Sequence, residues 1–211
     1  MGLWIKICGI TNDSDARAAA EAGADAIGLN FARESPRCVA VEDAAEIADA
    51  VRGRATVVGV FVNALVDQIL SVDKHVRFDR IQLHGDEGPE VLRRLGERAY
   101  KAFRVTHDAD VRELSLYPGP WHLLDARVAG AYGGTGRTFD WTLARAAAVY
   151  GSIIVAGGLG PDNVAEAVRV ARPFGVDTAS GVEARPGVKD AAKMEAFVHA
   201  ARAAWKLTEA P

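Results

Sequence analysis

The chain has 211 residues, 49% of them apolar, so it can bury a substantial core without a disulfide or metal staple. Its 25 Lys and Arg against 28 Asp and Glu give a formal net charge of −3, which leaves no basic face for a nucleic-acid backbone. Cys8 and Cys38 follow no metal-ligand spacing, residues 1–7 have no signal-peptide pattern, and no apolar run nears the ~20 residues that span a bilayer. The expectation is a soluble protein of a reduced compartment, most simply cytoplasmic, with neither nucleic acid nor membrane as partner.

Strand-like and helix-like segments then alternate along the chain. Leu3 to Ile7 is a short buried strand that stops at Gly9, and Thr11-Asn12-Asp13 signals a helix start. Asp13 to Ala22 reads as a helix, Ala26 to Asn30 as a strand, and Phe31 to Ala40 as an irregular loop with Ser35-Pro36-Arg37. Helix Val41 to Val51 precedes the β-branched strand Thr56 to Val62, and Ala64 to Val72 is helical. Strand Arg80 to Leu83 ends in His84-Gly85; helix Glu87 to Leu95 carries Pro89 near its start, where proline is tolerated. Strand Tyr100 to Val105 and helix Asp108 to Leu116 follow, closed by Pro118-Gly119-Pro120. Strand His122 to Asp125 leads into the Gly-rich stretch Gly130 to Gly136, and helix Thr142 to Val149 comes after it. Strand Ile153 to Ala156, helix Pro161 to Val170, strand Gly175 to Thr178 and a helix from about Lys189 to Lys206 complete the series.

Eight strand signals alternating with eight helix signals imply a parallel sheet with right-handed crossovers. Eight units in about 200 residues match a closed (β/α)8 TIM barrel with a parallel eight-stranded core, at the short end of its size range. An open doubly wound sheet usually stops nearer six strands and carries a G-x-G-x-x-G turn after strand one. Here that turn reads Cys8-Gly9-Ile10-Thr11. No linker or boundary interrupts the chain, so residues 1–211 are expected to form one barrel domain.

Chemistry in such a barrel sits at the C-terminal ends of the strands. Those ends supply Cys8, Asn30, Asn63, His84, Asp125, Gly157-Gly158 and Ser180-Gly181. Cys8 from strand one and Asp125 from strand six come from opposite sides of the barrel. Facing each other, they could add a proton at one atom of a ligand and remove one at another. Each has a plainer reading, Cys8 as a small core hydrophobe and Asp125 as a loop-capping carboxylate. The loops after strands seven and eight, with Gly157, Gly158, Ser180 and Gly181, suit a phosphate held by backbone N–H groups. Lys6 lies on the same strand face as Cys8, so it can contribute positive charge there, shared with Asp177.

These residues resemble the phosphoribosylanthranilate isomerase family of tryptophan biosynthesis. The matching motifs are Lys6-Ile7-Cys8-Gly9-Ile10-Thr11, Ser35-Pro36-Arg37, Val58-Gly59-Val60-Phe61-Val62-Asn63, Gln82-Leu83-His84-Gly85 and Leu123-Leu124-Asp125. Further on come Gly133-Gly134-Thr135-Gly136-Arg137-Thr138-Phe139-Asp140-Trp141, Ala156-Gly157-Gly158-Leu159, Ser180-Gly181-Val182-Glu183 and Pro186-Gly187-Val188-Lys189-Asp190. Arg137 stands where lysine is common, and Thr178-Ala179 where the family often has valine and serine. The resemblance implies an Amadori rearrangement with Cys8 as general base and Asp125 as general acid. It also implies Arg37 as the grip on an anthranilate carboxylate, and no metal or redox cofactor. The expected partner is a small phosphosugar substrate, and the chain a monomer or homodimer. Two alternatives stand beside it: a phosphosugar isomerase of the histidine-pathway type, and a non-catalytic binder of phosphate ligands.

Overall fold

A computed structural model describes residues 2–125 and 140–209, so the expected motif over residues 130–139 lies outside the described residues. Eight parallel strands close into a barrel in sequence order. They are β1 (Trp4–Cys8), β2 (Ala26–Asn30), β3 (Thr56–Phe61), β4 (Arg80–Leu83), β5 (Ala99–Arg104), β6 (Trp121–Asp125), β7 (Ser152–Ala156) and β8 (Gly175–Thr178). The helices are α1 (Asp13–Glu21), α2 (Val41–Val51), α3 (Val66–Val76), α4 (Pro89–Leu95), α5 (Asp108–Glu113), α6 (Trp141–Ala147), α7 (Val164–Ala171) and α8 (Ala191–Glu209). The barrel closes where β1 pairs with β8, with Lys6 opposite Asp177.

Strand alternation sorts side chains into two layers of core. Outward positions such as Ile5, Ile7, Ile27, Leu29, Val57 and Ile81 pack against the helices. The helices answer with apolar residues at helical spacing, as in Ala44, Ile47, Ala48 and Val51 of α2 and Val164, Ala167, Val168 and Ala171 of α7. Inward positions Ala26, Val58, Leu123 and Ile154 fill the barrel itself. Its N-terminal end is plugged by Trp4, Trp121 and Phe174, with the Trp4 and Trp121 rings 5.1 Å apart edge to face. These rings close the floor of the barrel.

Most elements fall where the sequence expects them; the differences are local. Helix α3 begins at Val66 and runs to Val76, ending in left-handed Arg77, because Gln68 caps Leu65 rather than Ala64. Pro161–Asn163 forms a turn before α7, since the Asn163 side chain accepts from Gly160 N–H and donates to the Gly158 carbonyl. The stretch before α8 folds into an antiparallel hairpin, β9 (Glu183–Arg185) with β10 (Val188–Lys189), so α8 begins at Ala191. That hairpin has no alternation long enough to be read from sequence.

Gly59 of β3 faces the aromatic group of Phe31, Phe61 and Phe78. A Cβ there would lie 2.8 Å from the Phe78 ring and 2.9 Å from Phe61. Gly59→Val is expected to lower stability by about 1–3 kcal/mol through overpacking, read as a lower denaturant midpoint; an unchanged midpoint contradicts that packing.

Candidate active site

The polar end of the barrel opens into a cavity of about 300 Å³. Cys8, Arg37, Asp125, Gly157, Gly158 and Ser180 all line it, together with Asn30, His84 and Arg104. Gly181 does not line it. A Cβ on Gly181 would run into the Leu159 carbonyl and Gly160, so this glycine lets the loops after β7 and β8 lie against each other. Thr178 ties the same loops, its hydroxyl donating to the Leu159 carbonyl at 2.6 Å while buried. Asn63 also sits apart, at positive φ, with its N–H on Glu87 and its side chain on Asp86.

Cys8 is nearly buried at the end of β1. Gly28 on β2 makes room for it: a Cβ there would come within 2.7 Å of Sγ and 3.0 Å of Lys6 Cε. Lys6 lies beneath, fully buried, with Nζ 2.8 Å from Asp177 Oδ1. At that distance in a buried setting, opposite charge holds the pair. Burial alone would pull the Lys6 ammonium down, but Asp177, Cys8 and Tyr100 outweigh it and raise it, so Lys6 stays charged. The expected partnership of Lys6 with Asp177 is thus present. Its effect on the thiol is smaller than expected: burial pushes Cys8 up, and Lys6 and Lys189 offset only part of that against Asp177.

Arg37 reaches the mouth from the loop after β2, its stem crossing the spot a Cβ on Gly9 would occupy. Gly9 is therefore fixed twice, by that crossing and by its φ of 72°. Glu183 holds the guanidinium through Nε to Oε1 and Nη2 to Oε2, both at 2.7 Å. It also takes Lys189 Nζ at 3.0 Å and the Gly187 N–H at 3.3 Å. Burial would push the Glu183 carboxyl up, yet Arg37 and Lys189 hold it below its usual range. One edge of the Arg37 fork is spent on Glu183; the Nη1 side remains for another carboxylate. Sequence reasoning quoted Glu183 within a motif without giving it this task.

Asp125, at the end of β6, places Oδ2 3.0 Å from His84 Nε2. His84 Nδ1 in turn meets Gln82 Nε2 at 2.8 Å. His84 had appeared only as a strand-end residue; it lies one residue past the end of β4, two on from Gln82, whose side chain it meets. Among the described residues, the N–H groups of Gly157 and Gly158 have no protein acceptor, and a Cβ on Gly158 would point into open space.

Fold and mouth define a class, a (β/α)8-barrel enzyme working at the C-terminal face of its strands. A sequence model described as N-(5'-phosphoribosyl)anthranilate (PRA) isomerase matches residues 5–200. The N-(5'-phosphoribosyl)anthranilate isomerase of Magnetococcus marinus is 50% identical over 204 residues, covering 97% of each chain. The crystal structure of phosphoribosyl anthranilate isomerase from Thermotoga maritima superposes with a TM-score of 0.88 at 40% identity, covering 95% of this chain and 99% of that one. A further structure of such an isomerase, in complex with reduced 1-(o-carboxyphenylamino)-1-deoxyribulose 5-phosphate, gives 0.84 at 38% identity, with 95% and 99% covered. The chain belongs to the phosphoribosylanthranilate isomerase family.

Because burial favours the neutral thiol, Cys8 should ionise only above the free-thiol value of about 8.5. In a Cys38→Ser background, which removes the exposed second thiol, iodoacetamide modification of Cys8 should accelerate with pH and reach half its maximum above that value. A midpoint below it would mean that the two lysines outweigh burial.

Proposed function

We propose that this chain isomerises N-(5-phosphoribosyl)anthranilate to 1-(2-carboxyphenylamino)-1-deoxyribulose 5-phosphate, a step of tryptophan biosynthesis carried out in the cytoplasm. One observation carries the reading beyond family membership: Cys8 and Asp125, from strands on opposite sides of the barrel, open into one cavity with Arg37. A relative bound to a reduced form of the product supports the choice of ligand.

In this reading Asp125, protonated, gives its proton to the ribose ring oxygen as the C1′–O bond breaks. The nitrogen lone pair closes to C1′ and leaves a cationic Schiff base. Cys8, as thiolate, removes the C2′ proton, and the freed pair forms the enolamine and neutralises the nitrogen. Tautomerisation moves a proton to C1′ and releases the ketone at C2′. Oxidation at C2′ balances reduction at C1′, so the substrate supplies every electron. A raised thiol pKa makes the thiolate a stronger base but a scarcer one. The cationic Schiff base counters this by favouring negative charge on the neighbouring sulfur just when the proton must leave.

Arg37 would take the anthranilate carboxylate on its Nη1 side while Glu183 holds the other edge. The phosphate would lie against Gly157, Gly158 and Ser180, where the N–H groups of the two glycines have no protein acceptor among the described residues; Gly181 serves by letting the loops close up.

Two sets of variants test these roles. Cys8→Ala and Asp125→Asn should each lower kcat by roughly 10²–10⁴-fold with little change in substrate affinity, followed as the loss of anthranilate-type fluorescence. Near-normal turnover in Cys8→Ala sinks the mechanism. Arg37→Ala should weaken binding by about 1.5–3 kcal/mol, while a ligand lacking the carboxylate should be indifferent to it; equal weakening of both ligands would make Arg37 a loop support.

A further inference from the structure

Beneath the acid runs a line of side chains that the reaction as written does not use. Tyr100 is buried to 1% exposure at the floor of the barrel, its ring 5.9 Å from that of Trp121. A phenol so placed must find a hydrogen-bond partner. It donates to Gln82 Oε1 at 2.9 Å, and Gln82 is itself fully buried. Burial raises the phenol well above its ordinary range against the pull of Lys6, so Tyr100 remains a donor.

A phenol that donates to Gln82 orients the rest of the line. With its oxygen engaged, Gln82 turns its NH2 toward His84 Nδ1, 2.8 Å away, and an amide nitrogen only donates. Nδ1 must therefore be bare, and a neutral ring carries its proton on Nε2. That nitrogen faces Asp125 Oδ2 at 3.0 Å and donates to it. We infer that Tyr100 and Gln82 are positioning residues: through donor–acceptor matching they fix the tautomer of His84, which in turn fixes the rotation of the Asp125 carboxyl in the mouth. The inference rests on Asp125 being the acid.

Without Tyr100 the amide is free to turn over. Its oxygen would then accept the Nδ1 proton, leaving Nε2 bare, and the protonated Asp125 carboxyl would donate its O–H to that nitrogen. The acid's proton would be spent on His84 rather than presented to the substrate, although every catalytic group was still present.

Histidine-labelled protein, with His84 assigned by its absence in His84→Gln, gives the tautomer directly from long-range proton–nitrogen spectra. The wild type should show Nδ1 unprotonated and Nε2 protonated. Tyr100→Phe should mix the tautomers and lower kcat roughly tenfold, the worth of one hydrogen bond, with KM changed less. Gln82→Glu, which presents only acceptors to Nδ1, should move the proton onto Nδ1 and lower kcat likewise. A protonated Nδ1 in the wild type overturns the inference at once, whether or not the variants fold. So does Tyr100→Phe that loses kcat with its tautomer intact, because its role is then structural. A tautomer that moves while kcat does not overturns the positioning role. If Asp125→Asn is fully active as well, the assignment of Asp125 as the acid falls too, which separates the two failures.

Discussion

A lysine ammonium cannot sit unpaired inside a barrel, and the Lys6–Asp177 pair is the constraint around which the mouth is arranged. The two residues are register partners in β1 and β8, the strands whose pairing closes the sheet. One contact therefore joins the two ends of the barrel and places a fixed positive charge under Cys8. Removing Asp177 would leave that charge uncompensated, a loss of about 3–5 kcal/mol. Gly28 is part of the same arrangement, since any side chain on it would displace Cys8 or Lys6.

Several polar groups of the mouth follow one pattern, in which each is set by a buried or half-buried partner. Lys6 answers Asp177, Arg37 answers Glu183, and Glu183 also answers Lys189, whose ammonium burial pulls down. His84 answers Asp125. Such partners fix orientation at low entropic cost when substrate arrives, because the side chains are already ordered. They also explain why the loop after β2 and the hairpin after β8 lie together. Arg37 comes from one and Glu183 from the other, and the Thr11 hydroxyl and Asp15 carboxylate bind the hairpin at the Gly187 carbonyl and the Lys189 N–H.

Much of this was legible in the sequence because the signals were local. Alternation along β1 put Lys6 and Cys8 on one face, and strand ends named Asp125, Gly157 and Ser180 as residues facing the mouth. What was not legible depends on contacts between elements far apart in the chain. Arg37 and Glu183 are 146 residues apart, and nothing in either neighbourhood announces the other. Tyr100 reads as one apolar position of β5 until β4 brings Gln82 beside it in register. The balance at Cys8 escaped for a similar reason: parity along a strand reveals that a lysine is near but not how deeply the thiol is buried.

The glycines of the two upper loops show how packing and ligand approach divide a motif between them. Gly181 is held by the Leu159 backbone, and replacing it would disturb the loops before any ligand arrived. Gly158 has a φ of 68° and nothing within 4 Å of where its Cβ would be, so its missing side chain opens toward the cavity. Arg37, Lys6 and Lys189 are each engaged with carboxylates, whereas the N–H groups of Gly157 and Gly158 have no protein acceptor among the described residues and would be open to a phosphate. That division suits turnover. Backbone donors there would leave those three cations to the carboxylates they already hold, so the charges that set the mouth need not move when a ligand binds or leaves.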